Sequence, residues 1–206
     1  MTAPVTRARV IAMATAAALA WLAIPSACLR TPPVHYYTLA KGPASPPRGA
    51  VRYTVHVAPA SVPDAVDRPE LVLRVSATEL AINDDHRWAE PLRAGIARAV
   101  ADDLARQLEG ALVSTSEESP KDHSDVEITI DVQHLDVALT EGAAIEVAWT
   151  ARWADGRPTR TGRSFARARA APGGTHDAAV AAFAVTLESV SGDIARSVRA
   201  EYLSRR

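Results

Sequence analysis

At 206 residues, 48% of them hydrophobic and 23% charged, the chain suits one globular domain with enough length for a real core. A formal net charge of −1 without a concentrated basic face excludes the usual signature of nucleic-acid binding. Aromatics are few, at 5%, while alanine and arginine are abundant, so helices form readily and an aromatic-rich core is not expected.

Residues 1–27 have the layout of a lipoprotein signal peptide. Arg7 and Arg9 supply a positive n-region, and Val10 to Ile24 is an uncharged run of 15 residues. That length fits a signal h-region and is short for a bilayer-spanning helix. Ser26 and Ala27 precede Cys28, the only cysteine, which has no internal disulfide partner. The segment resembles a bacterial lipobox, whose cysteine is lipidated and becomes the new N-terminus, although Pro25 stands where a leucine is usual. The alternatives are an ordinary cleaved signal and an uncleaved membrane anchor. Removing 1–27 takes away two arginines and no acid, moving the net charge from −1 to −3. Residues 28–35 form a short lipidated tether. Leu29, rather than an aspartate, follows the cysteine, which favours the outer over the inner membrane.

The remainder, 36–206, is read as a single domain. Tyr36 to Leu39 forms a first strand, and the Pro- and Gly-rich stretch 41–49 is a loop. Val51, Tyr53, Val55 and Val57 alternate with polar residues as a half-buried strand. Pro59, Pro63 and Pro69 make 58–68 a surface loop, in which Asp64 and Asp67 serve as turn formers rather than ligands. Leu71 to Val75 is an apolar strand and Thr78 to Ile82 a second. An acidic turn at Asn83-Asp84-Asp85 then leads to Trp88. Pro91 suits a first helical position. Leu92, Ile96, Val100, Leu104 and Leu108 form one helical stripe that ends at Gly110.

Ala111 to Ser114 is a short strand, and 115–125 a polar loop. In the next strand Val126, Ile128, Ile130 and Val132 share one parity, whereas Leu135, Val137 and Leu139 take the other. Because a one-residue slip reverses every side chain, a bulge is expected near Gln133-His134. A turn at Glu141-Gly142 returns the chain through Ile145, Val147, Trp149, Ala151 and Trp153. Asp155-Gly156 signals a second hairpin, followed by a strand from Thr161 to Ala170. The last helix runs from about His176 to Leu203, with Thr175 as N-cap and Asp177 at its positive end. Its stripe is Val180, Phe183, Leu187, Val190, Ile194, Val198 and Tyr202. Arg196, Arg199, Arg205 and Arg206 favour its C-terminal end. The expected fold class is α+β, a mostly antiparallel or mixed sheet with two amphipathic helices packed on one face.

No catalytic constellation stands out, and the residues call for no cofactor. The six histidines, His35, His56, His86, His123, His134 and His176, lack ligand spacing. Asp84-Asp85-His86 is a metal candidate, but an Asn-Asp-Asp run is more often a solvated turn. Glu90 beside Trp88 resembles a carboxylate against an aromatic wall; the commoner arrangement is an acid at a helix start and a tryptophan stapling strand to helix. Gly173-Gly174 reads as a strand-to-helix turn rather than an anion site. Arg163, Phe165, Arg167 and Arg169 share a strand face, together with Arg160, as a candidate partner or lipid surface or else a solvated face. Of Trp149 and Trp153, at least one is expected in the core.

Several stretches carry a family resemblance: His35-Tyr36-Tyr37-Thr38-Leu39, Val57-Ala58-Pro59 with Pro63, Asp67-Arg68-Pro69, Leu71-Val72-Leu73-Arg74, and Arg87-Trp88-Ala89-Glu90-Pro91-Leu92. In that order they resemble the PqiC (YmbA-type) family of ABC-type transport auxiliary lipoproteins. They span the N-terminal half of the mature chain; beyond Leu112 only the general layout is shared. The resemblance implies a non-enzymatic lipoprotein held by Cys28 on the periplasmic face of the outer membrane of a Gram-negative-type envelope. It would serve an MCE/ABC-type phospholipid transport system that supports membrane integrity. The implied partners are an MCE-domain tunnel protein, inner-membrane transporter components and further copies of itself. Asp67, Arg68, Pro69, Trp88, Glu90 and Pro91 would be its motif residues, structural or at an interface. The alternative class is a periplasmic hydrolase or a peptidoglycan-binding lipoprotein, and neighbouring MCE-domain and ABC-transporter genes would discriminate against it.

Overall fold

The computed structural model describes residues 32–39, 42, 50–115 and 124–204. The expectations at Cys28, the signal segment 1–27, most of the 41–49 and 115–125 loops, His123, Arg205 and Arg206 lie outside the described residues. Residues 34–206 form one unit, which contains every helix and strand described.

The elements are β1 (His35–Tyr37), β2 (Tyr53–Val57), β3 (Glu70–Arg74), β4 (Leu80–Trp88), α1 (Leu92–Gln107), β5 (Ala111–Ser114), β6 (Val126–Ala138), β7 (Gly142–Trp153), β8 (Arg160–Ala168) and α2 (His176–Leu203). This is the expected α+β arrangement, with the strands divided between two sheets. A five-stranded sheet has the order β5-β2-β6-β7-β8, and a three-stranded sheet the order β1-β4-β3. β6, β7 and β8 form the antiparallel meander. β2 pairs in parallel with β5 and β6, and β1 with β4, which makes both sheets mixed.

Both helices lie against the five-stranded sheet and against each other. The α1 stripe of Leu92, Ile96, Val100, Leu104 and Leu108 is buried throughout. Val180, Phe183, Leu187, Val190, Ile194 and Val198 of α2 are likewise buried, with Tyr202 partly so. Ile128, Ile130, Ile145, Val147 and Ala151 meet them from the sheet. By length and composition α2 resembles a membrane span, yet 67% of its most apolar window is buried inside the fold, the position of a core helix. Thr175 caps α2 by accepting from Ala178 N at 3.2 Å. Pro91 is the N-cap of α1 rather than its first helical residue.

The bulge in β6 falls where the parity change requires it: pairing with β7 shifts between Val132 and His134, and Val132 and Leu135 are both buried. Trp149 and Trp153 are both in the core. Three further expectations change. Asn83-Asp84-Asp85 is not a turn but part of β4. Leu71 of β3 pairs with Asn83 and Glu70 with Arg87, so residues 84–86 bulge out opposite no β3 residue. The local turn tendency survives as that bulge, while pairing of His86 to Trp88 with β1 keeps the strand running. The 58–68 segment is not a plain surface loop, since Ala60, Val62 and Val66 are buried. It extends the sheet: Ser61 N donates to Ile130 O at 2.9 Å, and Val132 N donates to Ser61 O at 2.9 Å. Arg160 turns away from the other β8 arginines and grips the buried Glu201 of α2 at 2.5 and 2.9 Å.

Candidate functional site

The motif residues lie far apart in sequence but meet around one cavity of about 320 Å³. Asp67, Arg68 and Pro69 approach it from the loop before β3, and Trp88, Ala89, Glu90, Pro91 and Leu92 from the β4–α1 junction. Backbone bonds set this geometry. Trp88 N donates to Pro69 O at 2.8 Å, and Ala89 N to Tyr37 O at 2.8 Å, so one dipeptide ties β1, the loop and β4 together. The Trp88 ring continues inward and meets Phe183 of α2 edge-on, with centroids 6.1 Å apart.

The charged groups around the cavity are paired among themselves. Asp67 Oδ2 lies 2.5 Å from Arg93 Nη2, and Glu90 Oε2 lies 3.0 Å from Arg98 Nη2. Arg68 and Arg87 both approach Glu70 at 3.6 Å. Each carboxylate therefore faces a fixed cation on α1 or β4, leaving an apolar floor of Trp88, Pro69, Pro91 and Leu92 inside a neutralised rim. An apolar floor inside an ion-paired rim has the form of a docking or stapling surface.

The β8 residues Arg163, Phe165 and Arg167 point away from the helices, on the outer face of the five-stranded sheet at its edge. Ser164 and Ala166 between them are buried. Ser164 Oγ accepts from Trp149 Nε1 at 3.1 Å and donates to Asp193 Oδ2 at 2.7 Å, locking β8 onto α2. Phe165 is 65% exposed, and the Arg167 guanidinium sits 6.0 Å from its ring centre. Arg163 reaches Glu146 at 3.7 Å. Arg167 and Arg169 make no ion pair among the described residues. Both instead line a second cleft of about 400 Å³, shared with Arg74 and Asp136 and with the β6–β7 turn.

Asp136 is held from two sides. Arg74 donates to Oδ1 at 2.8 Å through Nε, and His134 Nε2 lies 2.7 Å from Oδ2. Partial burial pushes its carboxyl upward, but the bonds from Arg74 and His134 outweigh this and hold it below the usual carboxylate range.

The structure also assembles a group that no spacing in the sequence announces. His35, His86 and His176 stack in a column, His86 on His176 at 3.6 Å and His35 on His86 at 5.1 Å. Parallel pairing places His35 directly opposite His86, and the first residue of α2 supplies the third ring. The Tyr37 hydroxyl lies 2.8 Å from His86 Nδ1. Burial, then the neighbouring His86 and His35, lower the pKa of His176. Burial and nearby Asp177 raise that of Tyr37. Separations of 51 and 90 residues leave no local signal from which this column could be read. Among the described residues no group of His, Cys, Asp and Glu is arranged to hold a metal, and Asp84-Asp85-His86 contributes only His86 to the column.

Comparison with solved proteins supports the fold. One solved protein of uncharacterised function aligns with a TM-score of 0.61 and 19% identity, covering 81% of this chain and 99% of its own. A Xanthomonas campestris protein of the DUF330 family aligns with a TM-score of 0.56 and 20% identity, covering 84% and 96%. A search of curated proteins found no match. The model of the ABC-type transport auxiliary lipoprotein components matches residues 37–195, a span that takes in the Trp88 cavity, the β8 arginines and most of α2. A match of that extent covers well over half of the chain, which therefore belongs to the family of ABC-type transport auxiliary lipoprotein components.

Proposed function

We propose that this chain is a lipid-anchored periplasmic subunit of an MCE/ABC-type phospholipid transport system, held at the outer membrane and acting without catalysis of its own. The observation that carries this reading is the family match across 37–195, which begins nine residues after the sole cysteine of an export-signal-like segment. In this reading residues 1–27 are removed, Cys28 carries the acyl chains, 28–35 is the tether and 36–206 is the working domain. The short tether keeps the domain close to the membrane. From there, copies of the chain would meet the outer-membrane end of an MCE tunnel.

The two exposed features have separate parts in this reading. The neutralised, apolar-floored cavity at Trp88 offers shape to a partner or a second copy. The β8 face offers positive charge to acidic partner residues or to lipid headgroups. A pull-down of the full chain from detergent-solubilised membranes, read by mass spectrometry, tests the proposal. Recovery of an MCE-domain protein together with ABC-transporter components is the expected result. A preparation holding intact chain and neither partner overturns it.

A further inference from the structure

We infer that the cleft at the β6–β7 turn binds a phosphodiester that also carries a primary ammonium, the chemistry of an aminophospholipid headgroup. The inference deepens the transport proposal, which supplies the lipid context, but the site itself rests on the cleft's own geometry. Arg74 enters from β3, Thr140 and Glu141 from the turn, Arg167 from the end of β8 and Arg169 from the segment just after it. Ala138, Gly142, Ala143 and Ala144 form the rest of the wall, and their small side chains leave the space open. About 400 Å³ lies within the roughly 300–1,000 Å³ range of small-ligand sites.

Gly142 holds the two walls together. Its φ is +100°, and a Cβ there would fall 2.1 Å from Ala168 O and 2.5 Å from Ala170 N. Only glycine lets the start of β7 lie so close to the segment carrying Arg167 and Arg169. Arg74 is already spent on Asp136, so that pair is a fixed, neutral wall. Arg167, Arg169 and Glu141 remain with no ion pair among the described residues. Two guanidinium groups on one cleft match the oxygens of a phosphate, which arginine binds through paired N–H donors. Glu141 works against a simple anion and favours a ligand that brings its own cation. Phe165, exposed beside Arg167, gives apolar contact to the ligand's carbon chain outside the cleft.

The test uses the full chain in detergent, titrated with glycerophosphoethanolamine, glycerophosphoglycerol and inorganic phosphate. The expected order places glycerophosphoethanolamine tightest. Arg167→Ala/Arg169→Ala should weaken all three by tenfold or more. Glu141→Gln should remove only the advantage of the amine-bearing ligand. All three side chains are exposed, so melting curves of the variants should match the parent. Unchanged binding by the double arginine variant overturns the site. Equal affinity for all three probes, with Glu141→Gln inert, overturns the headgroup assignment in favour of a plain anion site. A chain that passes these titrations but recovers no MCE partner overturns the transport proposal alone.

Discussion

Trp88 ends β4 with 8% of its surface exposed, between the apolar cavity and Phe183. Its removal leaves a void that the ion-paired rim cannot close. Trp88→Ala should cost about 3–5 kcal/mol of stability. In a domain of this size the melting temperature should fall on the order of 10 °C. An unaltered melting curve with lost partner recovery would instead make Trp88 a contact residue. His176 gives a different single-residue handle. Its Nε2 is buried without a hydrogen-bond partner, and its pKa lies below the ordinary 6.5 because burial and the two neighbouring rings disfavour charge. The unfolded chain therefore takes up this proton more readily than the folded one. The linked stability is complete above pH 6.5 and declines as pH falls below it through the folded pKa. His176→Gln should flatten the stability curve below pH 6.5, as measured by urea unfolding at a series of pH values. An unchanged slope would show that His176 contributes nothing to the pH dependence of stability.

At the scale of elements, the β6 bulge makes the sharpest claim. Gln133 is the extra residue: Val132 pairs with Val147 and His134 with Glu146, with nothing opposite Gln133. Deleting Gln133 keeps Val132 and Leu135 on the buried face and keeps every β6–β7 partner. It loses only local curvature and the Gln133–Asp131 side-chain bond. Deleting Thr129, also exposed, instead reverses the parity of part of the strand and turns buried valine or isoleucine outward. Thermal melts should show a folded chain without Gln133 and a largely unfolded one without Thr129. Equal damage from both deletions would mean that the curvature itself is required. The β4 bulge carries a related lesson. The Asn-Asp-Asp run has turn chemistry, but β3 on one side and β1 on the other absorb it into a strand.

At the scale of the whole molecule, the two sheets are joined by the Arg74–Asp136 pair and by contacts of β3 with β6. The β8 face opposite the helices is left open, with Arg163, Phe165 and Arg167 exposed on it. Arg167→Glu/Arg169→Glu should weaken binding to anionic liposomes or to the partner complex without altering the fold. Added salt should act on the parent in the same direction, because exposed charges are screened over about 8 Å at physiological ionic strength. Unaltered binding by the well-folded variant would leave this a solvated face. At the other end of the chain, Cys28→Ala should abolish acyl labelling and leave the precursor unprocessed. Normal maturation and membrane retention of that variant would refute lipidation.

The sequence by itself determined the elements whose signal is local. The α1 and α2 stripes repeat at helical spacing, Thr175 caps within three residues, and the parity change in 126–139 demands a bulge whatever lies opposite. It also marked Asp67-Arg68-Pro69 and Trp88 to Pro91 as two separate motifs. Only the tertiary structure decided what depends on long-range pairing. Parallel ladders through β2 and between β1 and β4 join segments far apart in the chain, and no local pattern announces them. The parallel ladders split the strands into two sheets and set His35 against His86, the antiparallel β3–β4 pairing brings the two motifs around one cavity, and packing of α2 supplies His176 to the histidine column and Glu201 to Arg160. The physical reason is the range of the forces. Side-chain periodicity and capping act within a few residues, whereas strand partners are chosen by the burial of whole faces.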